Sequence, residues 1–210
     1  MSTVNIAVLI GGRGRRVGRE KTEIKVCGKK LIEIAIKKFK DFELVFVCRD
    51  EEQAERLSKI YDVEFIHDIY RNYGAISGIH AALNYFESCI VTAIDMPFIK
   101  KEVVKHLYRE GCKLQCDALI PMHKYPEPLL AYYSSSSLPE IERSIKSGEK
   151  KVLAPFKRLN TVFYPVEKLR KFDKHLISFF NINTIKDLSL IHISEPTRPL
   201  YISYAVFCLK

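Results

Sequence analysis

Apolar residues in this chain fall into short unbroken runs that alternate with stretches of helical spacing. Asn5 to Ile10 (NIAVLI) is an apolar run rich in β-branched residues, the pattern of a strand buried on both faces. Glu23 to Val26 alternates, and Cys27-Gly28-Lys29-Lys30 reads as a turn. Leu31, Ile34, Ile36 and Phe39 then recur at near-helical spacing. Glu43 to Cys48 (ELVFVC) predicts a second buried strand. Glu51 to Tyr61 predicts an amphipathic helix, with acids in the first turn where the helix dipole favours them. Val63 to His67 predicts a third strand, a helix runs on from Gly74 through Ala81, Ala82 and Tyr85, and Ser88 to Ile94 predicts a fourth strand. Beyond it the pattern gives a helix over Lys100 to Glu110, a strand over Ala118 to Pro121, a helix over Glu140 to Lys146 and a late strand over Leu159 to Val166. The serine run Ser134 to Ser137 reads as a solvated turn. Strand–helix–strand alternation at these lengths argues for parallel β-α-β units, and so for an α/β fold.

The first strand empties into chemistry. After Gly11-Gly12 come Arg13, Arg15, Arg16 and Arg19, interleaved with Gly14 and Gly18 and closing on Lys21. Glycine lets successive amides converge on an anion, and the cations neutralise its charge. Two well-known phosphate loops do not fit. Gly12, Gly14 and Gly18 give G-x-G-x-x-x-G, one residue too long for the dinucleotide fingerprint, and Glu20 stands where a Walker A loop needs glycine. A second candidate is Asp95, in Asp95-Met96-Pro97-Phe98 at the carboxyl end of an apolar strand, where open α/β sheets bind their ligands. A carboxylate there suits Mg²⁺, which takes few protein ligands and fills its sphere with water and phosphate oxygens. Asp68 follows the third strand and has the alternative reading of a turn or capping aspartate.

Composition narrows the partners. The chain has 210 residues, 47% of them hydrophobic and 28% charged, enough for one domain with a sizeable core. Its net charge is +9, and between Arg13 and Lys40 eleven Lys or Arg face only Glu20, Glu23 and Glu33. No RNA-binding, zinc-finger or heptad signature accompanies that charge, so a phosphate-rich small molecule explains it better than nucleic acid. Six cysteines without a paired pattern, and no charged and apolar leader, predict reduced thiols and a cytoplasmic protein. Cys112 and Cys116 with His106 and His123 lack the second close pair that zinc sites show. No run approaches the roughly 20 apolar residues of a membrane span.

Ordered spacing carries more than composition does. The opening stretch resembles the signature L-A-G-G-x-S-x-R-M-G-x-D-K of the molybdenum cofactor guanylyltransferases, within the nucleotidyltransferases. Leu9, Gly11, Gly12, Arg16, Gly18 and Lys21 match it in order, while Ile10, Gly14, Val17 and Glu20 depart from it. Asp68 followed by Gly74-Ala75-Ile76-Ser77-Gly78 is similar to the family's aspartate and G-P-L-A-G, with Ala75 for proline. Ile94-Asp95-Met96-Pro97-Phe98 resembles C-D-M-P-F, Glu127 to Tyr133 resembles E-P-L-x-A-x-Y, and Phe180 to Thr184 resembles F-x-N-I-N-T. The last also fits a helix start capped by Thr184.

The resemblance implies a three-layer Rossmann-like nucleotidyltransferase fold with a mostly parallel central sheet, spanning residues 1–188. It implies GMP transfer from GTP to molybdenum-molybdopterin, with Arg16, Lys21 and Asp95 as catalytic residues. GTP would be held by Leu9, Ile10, Gly11, Gly12, Lys21, Asp68 and Asp95, Mg²⁺ by Asp95, and the acceptor by Glu127, Asn181 and Asn183. Molybdenum-insertion proteins and molybdoenzyme chaperones are the implied protein partners; no membrane or nucleic acid is expected. Cytidylyl relatives carry L-A-A-G, so Gly11-Gly12 favours guanine. The alternatives are a molybdopterin cytidylyltransferase, a sugar-phosphate nucleotidylyltransferase and a non-catalytic nucleotide-binding module. Residues 189–210 match nothing in the family. With Pro196, Pro199 and an apolar end, they resemble translated vector sequence more than a folded extension.

Overall fold

A computed structural model of the chain describes residues 3–11, 20–70 and 72–182. The described strands are β1 (Asn5–Leu9), β2 (Lys25–Val26), β3 (Lys29–Lys30), β4 (Glu43–Cys48), β5 (Glu64–His67), β6 (Ser88–Ala93), β7 (Ala118–Met122), β8 (Leu130–Ser134) and β9 (Thr161–Pro165). The helices are α1 (Leu31–Phe39), α2 (Glu51–Ser58), α3 (Ala75–Tyr85), α4 (Lys101–Leu114) and α5 (Leu138–Lys146). Seven strands form one sheet in the order β5-β4-β1-β6-β8-β7-β9. β1 runs parallel to β4 and β6, β4 to β5, and β7 to β9, whereas β8 is antiparallel to both neighbours. The sheet is therefore mostly parallel, as expected, with one reversed strand.

Alternation along β1 sets up three layers. Ile6 and Val8 face a core shared with Leu31, Ile32 and Phe39 of α1, Ala54 and Leu57 of α2, and Val103, Val104 and Leu107 of α4. Ala7 and Leu9 face the opposite core, with Ile76, Ile79 and Ala82 of α3 and Ile141 and Ile145 of α5. Burial on both faces is why these strands read as unbroken apolar runs. Three parallel strands, β1, β4 and β6, thus end side by side with the start of α3 beneath them.

Local boundaries follow from specific bonds. The predicted turn at Cys27-Gly28 joins β2 to β3, with φ of 49° and 79° at its two central residues. α2 stops at Ser58, short of the expected Tyr61, because the amides of Ile60 and Tyr61 both turn back to the Leu57 carbonyl at 3.0 Å. α4 runs past the expected Glu110 and through Gly111, whose missing side chain makes room for Tyr132 of β8: a Cβ there would lie 2.3 Å from the ring. The serine run is not simply solvated. Ser137 is fully buried and donates to the Ser134 carbonyl at 2.6 Å, bracing a 3₁₀ turn that leads into α5.

Candidate active site

β1 delivers the glycine loop to the carboxyl edge of the sheet. The Ile10 amide donates to the Val47 carbonyl at 2.9 Å, extending the β1–β4 pairing by one residue. Gly11 then lies against the backbone of Arg49, where a Cβ would come within 2.9 Å of the Arg49 nitrogen. Gly12 and Arg16 lie outside the described residues. The chain is described again at Glu20, whose carboxylate pairs with Arg49 (3.1 Å) and with Arg56 of α2. Lys21 follows at the start of a 3₁₀ turn over Lys21–Glu23, and its ammonium donates to Asp95 Oδ2.

Asp95 sits in the turn that closes β6. The Ile94 amide bonds to the Leu9 carbonyl (3.1 Å) and the Met96 amide to the Ala93 carbonyl (3.2 Å), so the turn is fixed to β1 as well as β6. Asp95 is only 6% exposed. A carboxylate so enclosed requires a cation or several donors, because an unpaired buried charge is expensive. Lys21 supplies one positive charge. Among the described residues no group of three or more His, Cys, Asp or Glu side chains could hold a metal ion. A single enclosed carboxylate is a donor that Mg²⁺ can use when phosphates and water complete its sphere.

A cleft of about 220 Å³ opens beside this pair, on the α3 side of the sheet. Leu9, Gly11 and Lys21 form one wall, Val47 and Asp68 another, and Gly74, Ala75 and Gly78 of the α3 start a third. Gly74 has φ 64°, and no acidic residue occupies the first turn of α3, so no side chain of that turn offsets the positive helix end that lines the cleft. Gly78 permits close approach to the strand: a Cβ there would lie 2.8 Å from Leu9 Cδ2. Asp68 leaves β5 with its amide bonded to the Cys48 carbonyl at 3.0 Å. Among the described residues its Oδ1 is buried without a hydrogen-bond partner. Burial, and secondarily the neighbouring Asp50 charge, push this carboxyl up to about 7. An acceptor held in that way awaits a donor.

The expected residues do not all converge. Leu9, Gly11, Lys21 and Asp68 line the cleft, and Asp95 joins it through Lys21. Ile10 does not: its side chain is 1% exposed in the core on the far face of the sheet and its amide is committed to Val47, so a role in base recognition is restricted to its carbonyl. Glu127 is half-buried, with its amide on the Pro121 carbonyl (2.8 Å) and its carboxyl raised by burial; Leu129, two residues on, is the part of this segment that lines the cleft. Asn181 is exposed, and the next amide, Ile182, donates to the Asp95 carbonyl at 2.8 Å. Asn183 lies outside the described residues.

Residues 6–162 match the MobA-like NTP transferase domain. The chain belongs to that family. It is 37% identical over 195 residues to a probable molybdenum cofactor guanylyltransferase from Methanosarcina mazei, covering 86% of each chain. With the probable molybdenum cofactor guanylyltransferase from Pelotomaculum thermopropionicum it shares 32% identity over 186 residues, covering 86% of this chain and 88% of the relative. In structure it is similar to molybdopterin-guanine dinucleotide biosynthesis protein A from Archaeoglobus fulgidus. There the TM-score is 0.86 at 63% identity, over 89% of this chain and 95% of the other. The nucleotidyltransferase architecture and enzymatic class expected from the glycine loop and D-M-P-F follow from this membership.

Two features of this MobA-like chain's candidate site have no local signal in the sequence. The Lys21–Asp95 pair joins residues 74 apart in the chain. The Glu20–Arg49–Arg56 cluster holds the exit of the loop against α2, and the sequence shows of it only that Glu20 departs from the signature. Among the described residues no helix is long and apolar enough to cross a membrane.

Proposed function

We propose that this protein transfers GMP from GTP to the terminal phosphate of molybdenum-loaded molybdopterin, releasing pyrophosphate and forming the guanine dinucleotide cofactor. The names of its relatives support the reaction. The observation that carries it is the Lys21 ammonium resting on the enclosed Asp95 carboxylate at the edge of a cleft walled by glycines. In the reaction an oxygen of the acceptor phosphate attacks the α-phosphorus of GTP, and the bond from that phosphorus to the bridging oxygen of the β-phosphate breaks. Pyrophosphate leaves with the electron pair. No covalent enzyme intermediate is required.

Bringing acceptor and donor phosphates together is the main electrostatic obstacle. Unit charges ~4 Å apart repel by about 4 kcal/mol at an effective dielectric of ~20. The amides at Gly11 and Gly12, Arg16, Lys21 and the start of α3 offset this repulsion. Mg²⁺, when bound at Asp95, supplies further positive charge to the phosphates. Asp68 accepts from the guanine or ribose edge, and Glu127, Asn181 and Asn183 remain the candidates for holding the acceptor. The deciding experiment incubates the enzyme with molybdenum-loaded molybdopterin, Mg²⁺ and each nucleoside triphosphate, and measures pyrophosphate and the dinucleotide product. Consumption of GTP alone supports the reading. Preferential use of CTP moves the enzyme to cytidylyl transfer, and no consumption of any triphosphate refutes the transferase assignment.

A further inference from the structure

The last described segment, from Asp173 to Ile182, runs alongside the loop from Asp95 to Lys100 and fastens it at three points. The Ile182 amide donates to the Asp95 carbonyl at 2.8 Å. The Phe180 ring packs on Phe98 at 6.0 Å between centroids. The Lys100 amide donates to Ser178 Oγ at 3.0 Å. These contacts pair the two segments in antiparallel sense: 182 with 95, 180 with 98, 178 with 100. Behind the strap, Asp173 accepts from the Ser178 amide at 2.7 Å, and the Asp173 amide bonds in turn to the Leu169 carbonyl at 2.9 Å. Ser178 is fully buried and Asp173 is 4% exposed.

A buried carboxylate is expensive to keep, and here it orders one backbone amide inside a 3₁₀ turn (Ile177–Phe179). Nothing in the strap reaches the cleft through Asp173 or Ser178. What these two residues determine is where the strap lies, and through the strap where both ends of the Asp95 loop lie. Apart from the strap, the Asp95 turn is held by the Ile94 amide on the Leu9 carbonyl of β1, the Met96 amide on the Ala93 carbonyl of β6 and the Lys38 ammonium on the Pro97 carbonyl.

We propose that Asp173 and Ser178 are positioning residues for Asp95: the Asp173–Ser178–Lys100 relay and the Ile182 bond hold the Asp95 carboxylate in register with Lys21 for nucleotidyl transfer. The proposal rests on the assignment of Asp95 to the transferase site. The misplacement it guards against is small in distance and large in rate, since a shift of about 1 Å in a reacting array costs on the order of 100-fold.

The test uses the full-length protein carrying Ser178→Ala, Asp173→Ala and Asp173→Asn, the last retaining an amide oxygen for the Ser178 amide. Ser144→Ala is the control, because Ser144 is equally buried and accepts from Arg158 at 3.0 Å, far from the strap. At a temperature where all are folded by circular dichroism, Ser178→Ala and Asp173→Ala are expected to lose roughly 10- to 100-fold in kcat with KM for the nucleotide within about twofold. Mn²⁺ binding to the enzyme–nucleotide complex, followed by electron paramagnetic resonance, is expected to weaken in the same two variants. Asp173→Asn and Ser144→Ala stay near wild type in both readouts. Unchanged kcat and Mn²⁺ binding in the alanine variants, or an equal loss in Ser144→Ala, overturns the proposal. Should Ser178→Ala not fold, Asp173→Ala against Asp173→Asn decides. Nucleotide preference is measured on the wild type, so a change of base refutes the guanylyl reading without touching this one.

Discussion

Replacing Asp68 by asparagine separates what this carboxylate costs the fold from what it gives the site. In the folded protein its titration is raised from an ordinary 3.8 to about 7, chiefly by burial and then by Asp50. The sign follows from proton counts. Between about pH 4 and pH 7 the folded state keeps a proton that the unfolded chain has released, so stability falls as pH rises through that window. Above it the whole penalty is present. At about 1.4 kcal/mol per unit, the shift corresponds to at most about 4 kcal/mol. Asp68→Asn removes the ionisation while keeping the shape, so the variant should be more stable than wild type at pH 8 and indistinguishable from it near pH 4. For a chain of this size, each kcal/mol raises the melting temperature by roughly 2–4 °C. Urea titrations at pH 4.5 and pH 8, with calorimetric GTP binding on the same samples, check both halves. Wild-type affinity should climb with pH as the carboxylate ionises, and the variant should bind weakly at every pH. An asparagine variant no more stable than wild type at pH 8, or equally stabilised at both pH values, would refute the reasoning.

Three further outcomes are expected. Asp95→Ala should abolish transfer, by several kcal/mol of transition-state stabilisation, while leaving the melting temperature nearly unchanged because Lys21 is 29% exposed in its side chain and can hydrate; steady-state rates and thermal melts decide it. Lys21→Ala should mainly lower kcat and Arg16→Ala mainly raise KM for GTP, since a guanidinium fork grips bound phosphate in every state whereas a flexible ammonium follows moving charge; Arg15→Ala serves as control, and a reversed pattern contradicts the division. Gly11→Ala and Gly78→Ala should differ in kind. The first drives a methyl into the Arg49 backbone and should cost about 1–3 kcal/mol of stability, while the second meets only the mobile end of Leu9 and should instead weaken GTP binding by reshaping the cleft wall, as melts and calorimetry on the pair will show.

Strands were legible wherever burial on both faces wrote an apolar run: Glu43–Cys48 is read to the residue, and β1 and β6 to within one. Ends were less legible when a bond to a distant residue set them, as with Gly111, a local stop signal that Tyr132 turns into a packing requirement. The insertion of β8, reversed, between β6 and β7 leaves no mark in local periodicity, because strand order is a property of pairs of segments. In the site, glycines and lone aspartates stood out because their chemistry is special at a fixed spacing. For Ile10, the apolar pattern does not show that its amide is committed to Val47. The partners of those residues, Lys21 for Asp95 and Arg49 for Glu20, depend on how the chain returns on itself. The buried Ser137 shows the same limit: a run of serines looks alike whether it faces water or braces a helix start.

The bond from Ile182 to Asp95 also bears on how the protein is made. A ribosome delivers the chain from its amino end, and the sheet can assemble once β9 has emerged at Pro165. Asp95, although translated long before, acquires its last tether only when Ile182 appears. Every residue that lines the cleft has therefore been translated before the Asp95 loop receives its bond from Ile182.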